Sequence, residues 1–355
     1  MKKLLSLILL FICVQMYSQD LLKVVVVGLS HDHAHGIMNE YKQQKVLLLG
    51  IVETDQELIK RYQNSYKIPD SLFYSDLNEL LKNSKPDAVL AYNPISEHID
   101  VARVCLPLKI PVMVEKPLAT TLKDAQEMAQ LSRVNNTLLL TNFETTWYGS
   151  NQTLKAEISK TDFGAIKKMI AKDGHNGPKE IGCSKEFLSW LTDPVKNGGG
   201  ALMDFGCYGA NLMTWLQDGK KPIAVTAITR NFKPEIYPKV DDDATIILEY
   251  ENATGIIEAS WNWSYGIKDF QVYGENKSYY AANGDTLFEN RNTTKKESVE
   301  IIDTYYSNYL VYLNDVITGK ISSKNDLSSL ENNLVVVEIL EAAKKSAKTG
   351  KRIKL

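Results

Sequence analysis

The run Lys23-Val24-Val25-Val26-Val27-Gly28 constrains this chain more than any other feature. Consecutive valines put β-branched apolar side chains on both faces of a strand, and a strand apolar on both faces belongs inside a parallel sheet covered by helices. Residues 46–52, 88–92, 112–114 and 137–141 repeat the theme, with helical stretches between them. Thr121-x-x-Asp124 reads as a capping box opening one of those helices. Strands alternating with helices define βαβ units, so the N-terminal part is expected to be a doubly wound α/β domain over residues 20–145.

Past Asn142 the texture changes. The segment Asn197-Gly198-Gly199-Gly200 leads into a helix expected over 204–216. Longer strands follow at 223–232, 244–250, 255–263 and 269–273, with a turn at Asn252-Ala253-Thr254-Gly255, and read as an antiparallel meander. A last helix is expected over 329–348, capped by Ser328-x-x-Glu331 and stopped by Gly350. Residues 146–355 are therefore expected to form an α+β domain, a sheet with helices on one side. The length of 355 residues suits two domains.

Lys and Arg total 41 against 43 Asp and Glu, and no basic cluster stands out, so nucleic acid is excluded as a partner. Lys2 and Lys3 precede an apolar run from Leu4 to Val14 that is too short to span a bilayer. Small and polar residues follow, the pattern of a secretory signal peptide over residues 1–19, cut after Ser18 or Gln19. The mature chain is then exported and periplasmic, with no membrane span. Cys13 leaves with the leader, and Cys105, Cys183 and Cys207 form neither a disulfide scaffold nor a metal framework.

The first strand ends in Gly28-Leu29-Ser30-His31-Asp32-His33-Ala34-His35-Gly36. A glycine there, with a helix following, is where a dinucleotide fold seats a pyrophosphate. Of the G-x-G-x-x-G fingerprint only Gly28 is present; Ser30 and His33 occupy the other two places. Glu53, at the end of the second strand, would accept from the ribose hydroxyls and repel a 2′-phosphate, favouring NAD over NADP, with Asp55 as an equally placed rival. His31 and His35 could share a helix face around a metal, but no further ligand cluster accompanies them, and no metal is expected; the imidazoles instead line the cofactor crevice. Val112-Met113-Val114-Glu115-Lys116-Pro117 runs a buried strand into a charged pair at a strand's carboxyl end, where open α/β sheets bind ligands. A lysine there can hold or relay a substrate hydroxyl proton. Trp261 and Trp263 fall on one face of an expected strand and could stack on a sugar ring or pack in a core.

Glu115-Lys116-Pro117 resembles the motif of the Gfo/Idh/MocA oxidoreductases. Around it, Asp87-Ala88-Val89, Asn93-Pro94-x-x-x-His98, Lys109-Ile110-Pro111, Gly198 to Tyr208, Val240 to Ala244 and Ser346 to Lys351 match in order. The resemblance implies a Rossmann domain plus an open-faced antiparallel sheet, and hydride transfer between a nicotinamide and a hydroxyl-bearing carbon of a carbohydrate. It makes Lys116 the catalytic lysine and places Asp204 and Tyr208 in a D-x-x-x-Y version of the family's D-x-x-x-H motif, similar to glucose–fructose oxidoreductases and dihydrodiol dehydrogenases. Either Tyr208 or Lys116 would act as base, with the lysine's charge lowering the phenol's pKa. Gly28, Leu29, Ser30, His31, His33, Glu53, Asn93, Pro94, His98, Glu115 and Lys116 would line the cofactor site, His98 being cofactor-adjacent or structural. His175 is a further candidate for substrate contact. The resemblance also implies a homo-oligomer. Free NAD is scarce outside the cytoplasm, so a tightly held cofactor is expected. An alternative within the same fold is an NAD-dependent glycosidase working by transient oxidation, elimination, hydration and re-reduction; a third is a binding protein that kept the fold.

Overall fold

The computed structural model describes residues 21–289, 297–302 and 308–355; the expected leader, with Cys13, lies outside them. Six strands, β1 (Lys23–Val27), β2 (Leu47–Val52), β3 (Phe73–Tyr74), β4 (Ala88–Ala91), β5 (Val112–Glu115) and β6 (Leu139–Asn142), form one sheet in the order β3-β2-β1-β4-β5-β6. All five pairings are parallel. This is the doubly wound order with its switch point between β1 and β4. The valines divide as a two-faced strand requires: Val24 and Val26 enter one core, Val25 and Val27 the other. Thr121 caps the helix Leu122–Asn135, its hydroxyl oxygen accepting from the Asp124 N–H at 3.1 Å.

The second sheet contains β7 (Ile166–Gly174), β8 (Ala224–Arg230), β9 (Asp243–Glu249), β10 (Thr254–Ser260), β11 (Ile267–Gly274), β12 (Ser278–Asn283), β13 (Thr286–Glu289), β14 (Glu297–Val299) and β15 (Ile353–Lys354). Its order is β14-β13-β12-β11-β7-β10-β9-β8-β15. The expected meander is corrected here: β10 and β11 are not neighbours, because β7 inserts between them, parallel to β10 and antiparallel to β11. A pattern of period two gives strand faces but not partners. The strand expected over 255–263 stops at Ser260, so Trp261 and Trp263 do not share a strand face; Trp261 is fully buried.

The helix expected over 204–216 is two pieces, Ala201–Asp204 and Gly206–Leu216, broken at Phe205. The final helix Leu330–Thr349 is capped by Ser329, not Ser328, and stopped by Gly350 in the left-handed region. That helix ties the two halves together: Leu330 and Val337 belong to the core of the first sheet, Val336, Ile339 and Leu340 to the core of the second. The helix Tyr309–Ile317 likewise packs Leu310, Tyr312 and Leu313 against the first sheet. Among the described residues no helix is long and apolar enough to cross a membrane.

Candidate active site

The crevice opens at the carboxyl ends of β1 and β4. Gly28 has φ of +80°, and a Cβ there would lie 2.8 Å from Asn93 backbone atoms, so only glycine lets these two loops meet. Neither Ser30 nor His33 adopts a positive φ, which is why the turn closes without the other two glycines. The Leu29 N–H donates to Glu53 at 2.9 Å, and Glu53 also accepts from the Thr54 and Asp55 N–H groups. Asp55, the rival, is spent as the cap of the helix Gln56–Tyr66. The N–H groups of Ser30 and Asp32 find no partner among the described residues, and the buried Asn93 Oδ1 has none either. Unpaired polar groups in such a turn fit the phosphates and polar edges of a dinucleotide. Pro94 turns the chain into the short helix Ile95–Glu97.

The histidines diverge. His35 stacks on Tyr62 at 4.8 Å and its Nδ1 meets the Tyr66 hydroxyl, so it does not join His31. His31 is buried against Phe187 and Trp190. Burial, then the neighbouring His33, Lys116 and His98, push its pKa well down, so it is a neutral imidazole. His33 contacts Glu115 at 2.9 Å. His31, His33 and Glu115 could offer metal ligand atoms within 4.8 Å of one another, but the His33 and Glu115 atoms already satisfy each other. Glu115 also accepts from Asn142 at 2.8 Å. Burial alone would raise its pKa; His33, Asn142 and Lys116 outweigh that and hold it down.

His98 is buried, and its Nδ1 lies 3.1 Å from the Leu118 carbonyl. It therefore braces the backbone just past the Lys116–Pro117 bond, and its buried Nε2 has no partner among the described residues. Burial depresses its pKa to about 4. The neutral form is the one that folds, so this group's contribution to stability is present above the unfolded value of about 6.5 and is lost as pH falls from there towards 4. His98 should account for roughly 3 kcal/mol of the loss in thermal melts over that interval, added to that of buried His31, and His98→Gln should make the acid limb shallower by that share. An equally steep acid limb in that variant would remove His98 from the account.

At the centre stands Lys116, 6% exposed, donating to Asp204 Oδ1 at 2.5 Å and to the Asp204 carbonyl at 3.0 Å. The other carboxylate oxygen, Oδ2, accepts from Trp261 Nε1 at 3.0 Å. Burial disfavours both charges, yet each holds the other: the lysine is raised and the aspartate lowered. The glycine run sets Asp204 in place. A Cβ on Gly200 would lie 1.7 Å from the Asp241 carbonyl oxygen, and Asp241 carboxylate oxygens accept from the Gly200 and Leu202 N–H groups at 2.9 and 2.7 Å.

Tyr208 is 1% exposed, and the ammonium nitrogens of Lys116 and Lys268 lie over its ring, 5.0 and 4.7 Å from the centroid. The expectation that Lys116 would help ionise the phenol is corrected. The lysine meets the ring rather than the oxygen, and burial, followed by the charge of Glu144, pushes the phenol well above its ordinary value. His175 Nδ1 accepts from the Gly177 N–H at 2.9 Å, which leaves a hydrogen on Nε2 of a neutral ring. His31, His33, Lys116, His175, Asp204 and Tyr208 all face one cavity of about 530 Å³, together with Lys268 and Tyr148. Lys268, Tyr148 and Glu144 carry no short-range motif, so nothing in the sequence alone marks them as site residues.

The helix Lys185–Leu191 straps the second half across the dinucleotide turn. Its cap residue Ser184 donates its N–H to Asp32 at 3.0 Å, Glu186 pairs with Arg61 at 2.8 Å, and Trp190 Nε1 donates to the Ser30 carbonyl at 3.3 Å.

A doubly wound dinucleotide sheet joined to an open, mostly antiparallel sheet, with a buried Lys–Asp pair in the cleft between, defines a two-domain nicotinamide oxidoreductase. Residues 22–143 match the profile of the oxidoreductase family with an NAD-binding Rossmann fold, and residues 151–280 match the GFO/IDH/MocA C-terminal domain. The chain belongs to the Gfo/Idh/MocA oxidoreductase family, and its N-terminal domain is an NAD-binding Rossmann domain. It is 29% identical over 208 residues to the trans-1,2-dihydrobenzene-1,2-diol dehydrogenase of Xenopus tropicalis, 57% of each chain, and 20% identical over 230 residues to the human protein of that name, 64% of each. The match thus spans less than two thirds of these relatives. Among solved structures, aldose-aldose oxidoreductase from Caulobacter crescentus superposes with a TM-score of 0.78 at 20% identity, covering 94% of this chain and 100% of that one. An inositol dehydrogenase homolog from Azotobacter vinelandii, complexed with NAD+, gives 0.81 at 17%, covering 94% and 97%.

Proposed function

We propose that this protein is an exported NAD-dependent oxidoreductase that moves hydride between a carbohydrate carbinol carbon and a nicotinamide cofactor it keeps, with residues 20–145 as the cofactor domain and 146–355 as the substrate and assembly domain. The carrying observation is the buried Lys116–Asp204 pair opening, with Tyr208 and neutral His175, into one cavity at the carboxyl edge of the dinucleotide sheet. The turn at Gly28, the Ser30 and Asp32 N–H groups, Asn93 and Glu53 would hold the dinucleotide. The bound nicotinamide supplies the hydride acceptor or donor. Lys116 fixes the substrate oxygen by its ammonium, Asp204 keeps that ammonium charged and aimed, and Tyr208 and His175 carry the hydroxyl proton. Glu53 favours NAD over NADP.

The strap supports retention, because Asp32, Ser30 and Arg61 lie on the cofactor side and their partners on the other. Exposed apolar Ile228 and Ile247, on the outward face of the second sheet, support a homo-oligomer. Native mass spectrometry of purified protein should show NAD on every subunit and more than one subunit per particle. Asp32→Ala combined with Arg61→Ala should lose the nucleotide about tenfold faster on dialysis. Protein without nucleotide and without affinity for NAD(H) would overturn the reading. A retained cofactor also suits the redox-neutral glycosidase; release of an aglycone with no net NADH separates it from a dehydrogenase.

A further inference from the structure

The cavity holds a second ammonium that the site described so far does not use. Lys268 is the second residue of β11 and stands opposite Asp173 of β7 in the antiparallel register. Its ammonium pairs with Glu144, in the short helix Glu144–Trp147 after β6, and lies over the Tyr208 ring. The Tyr148 hydroxyl donates to the other Glu144 oxygen at 2.6 Å. Lys268 and Tyr148 line the same cavity as Lys116 and Asp204. Glu144 therefore fixes two polar side chains that reach the cavity from the first sheet's edge and the second sheet's face.

We propose that Lys268 and Tyr148, oriented by Glu144, form a second hydroxyl-binding subsite, and that the substrate is an uncharged vicinal polyol with its reacting carbinol at Lys116. The proposal rests on the oxidoreductase reading above and assigns the substrate's neighbouring hydroxyl. An ammonium has three donors, and among the described residues Lys268 has Glu144 as its one hydrogen-bond partner beside the Tyr208 ring, so donors remain for a substrate oxygen. The charge count selects the class of substrate. Each ammonium in the cavity is already matched by a carboxylate, Lys116 by Asp204 and Lys268 by Glu144. A third carboxyl, Asp173, lies buried nearby with Oδ2 unpartnered, and burial favours its neutral form. Asp32 lines the cavity as well, and His33 is paired with Glu115, so among the described residues lining it no lysine or arginine is left over to neutralise a carboxylate or phosphate on the substrate. A sugar acid would bring an unmatched charge into this region, whereas a hydroxyl pair can accept from one ammonium and donate to a carboxylate. Glu144 acts as a positioning residue; Lys268 and Tyr148 touch substrate.

The test uses the protein with its bound cofactor oxidised and follows a single turnover at 340 nm, with kcat and KM standing for the limiting rate and half-saturating concentration of that turnover. The probes are myo-inositol, D-glucose, methyl β-D-glucoside, their monodeoxy derivatives, and D-glucuronate. With the best of these, loss of the hydroxyl beside the oxidised carbon should raise KM about 10- to 100-fold in the unaltered protein. Lys268→Met should raise KM for the parent compound by a similar factor, with a smaller change in kcat, and should abolish the preference over the deoxy compound. Lys268→Arg should restore part of it, and Glu144→Gln should fall between. An unchanged preference in Lys268→Met, or glucuronate outcompeting glucose, would overturn the subsite while leaving the oxidoreductase standing. No cofactor reduction by any probe would overturn both.

Discussion

Lys116→Met should reduce the rate of cofactor reduction at least about a thousandfold while the nucleotide stays bound. The substitution keeps the aliphatic stem and deletes the ammonium that sits between Asp204 and the cavity. The nucleotide should stay because the residues proposed to hold it, the Gly28 turn, Asn93 and Glu53, are untouched. Asp204 loses a buried partner and retains only Trp261 Nε1, so stability should fall by about 3–5 kcal/mol. Lys116→Arg, which keeps the charge, separates the two effects: it should recover stability before activity, because a guanidinium cannot take the same place against the oxygen. Single-turnover absorbance at 340 nm, nucleotide content and thermal melts give the three readings. Normal turnover in Lys116→Met would remove this lysine from the chemistry. The sign of the pH dependence follows from the same pair. The lysine is raised, so its contribution is full below its ordinary value and fades only at higher pH; the aspartate is lowered, so its contribution fades only in acid below its ordinary value. Between those limits the pair is intact.

Tyr208→Phe should lower kcat by about 10²- to 10⁴-fold with little effect on folding. The ring, with Lys116 and Lys268 over it and Phe143 at its edge, survives the change; only the hydroxyl goes. Because burial holds the phenol protonated through neutral pH, the resting site is set to give a proton to a carbonyl oxygen. Ketone reduction should therefore be flat through neutrality and decline only as pH rises into the phenol's raised range, while alcohol oxidation should climb with pH towards it. In Tyr208→Phe both dependences should disappear. Full activity in that variant would transfer the proton to His175, whose Nε2 carries a hydrogen in the same cavity.

The most legible parts of the site were those with local signatures. Gly28 follows an uninterrupted valine strand, Glu53 closes the next strand, and Glu115-Lys116-Pro117 ends a third, so strand order alone brings them to one edge. Ser30 and His33 in the other two fingerprint places cost the turn no backbone strain, because only Gly28 needs a positive φ. Other assignments needed the packed chain. Asp55 and Glu53 are equivalent by spacing, but one caps a helix and the other faces the turn. Trp261 reads as either a sugar-stacking or a core aromatic, and proves to be a buried donor to Asp204. Lys268 and Glu144, 124 positions apart, carry no mutual signal.

By itself, then, the sequence determined what depends on neighbours along the chain: the two-faced valine strand and hence the parallel sheet, the caps, the glycine turn, and the motif lysine. Burial periodicity and backbone sterics are local properties, and a local pattern is sufficient for them. Only the tertiary structure decided what depends on distance in space: the insertion of β7 between β10 and β11, the strap over the dinucleotide turn, the protonated state of Tyr208 and the second lysine beside it. Desolvation and charge pairing are sums over whatever the fold brings within a few ångströms, and those neighbours come from every part of the chain.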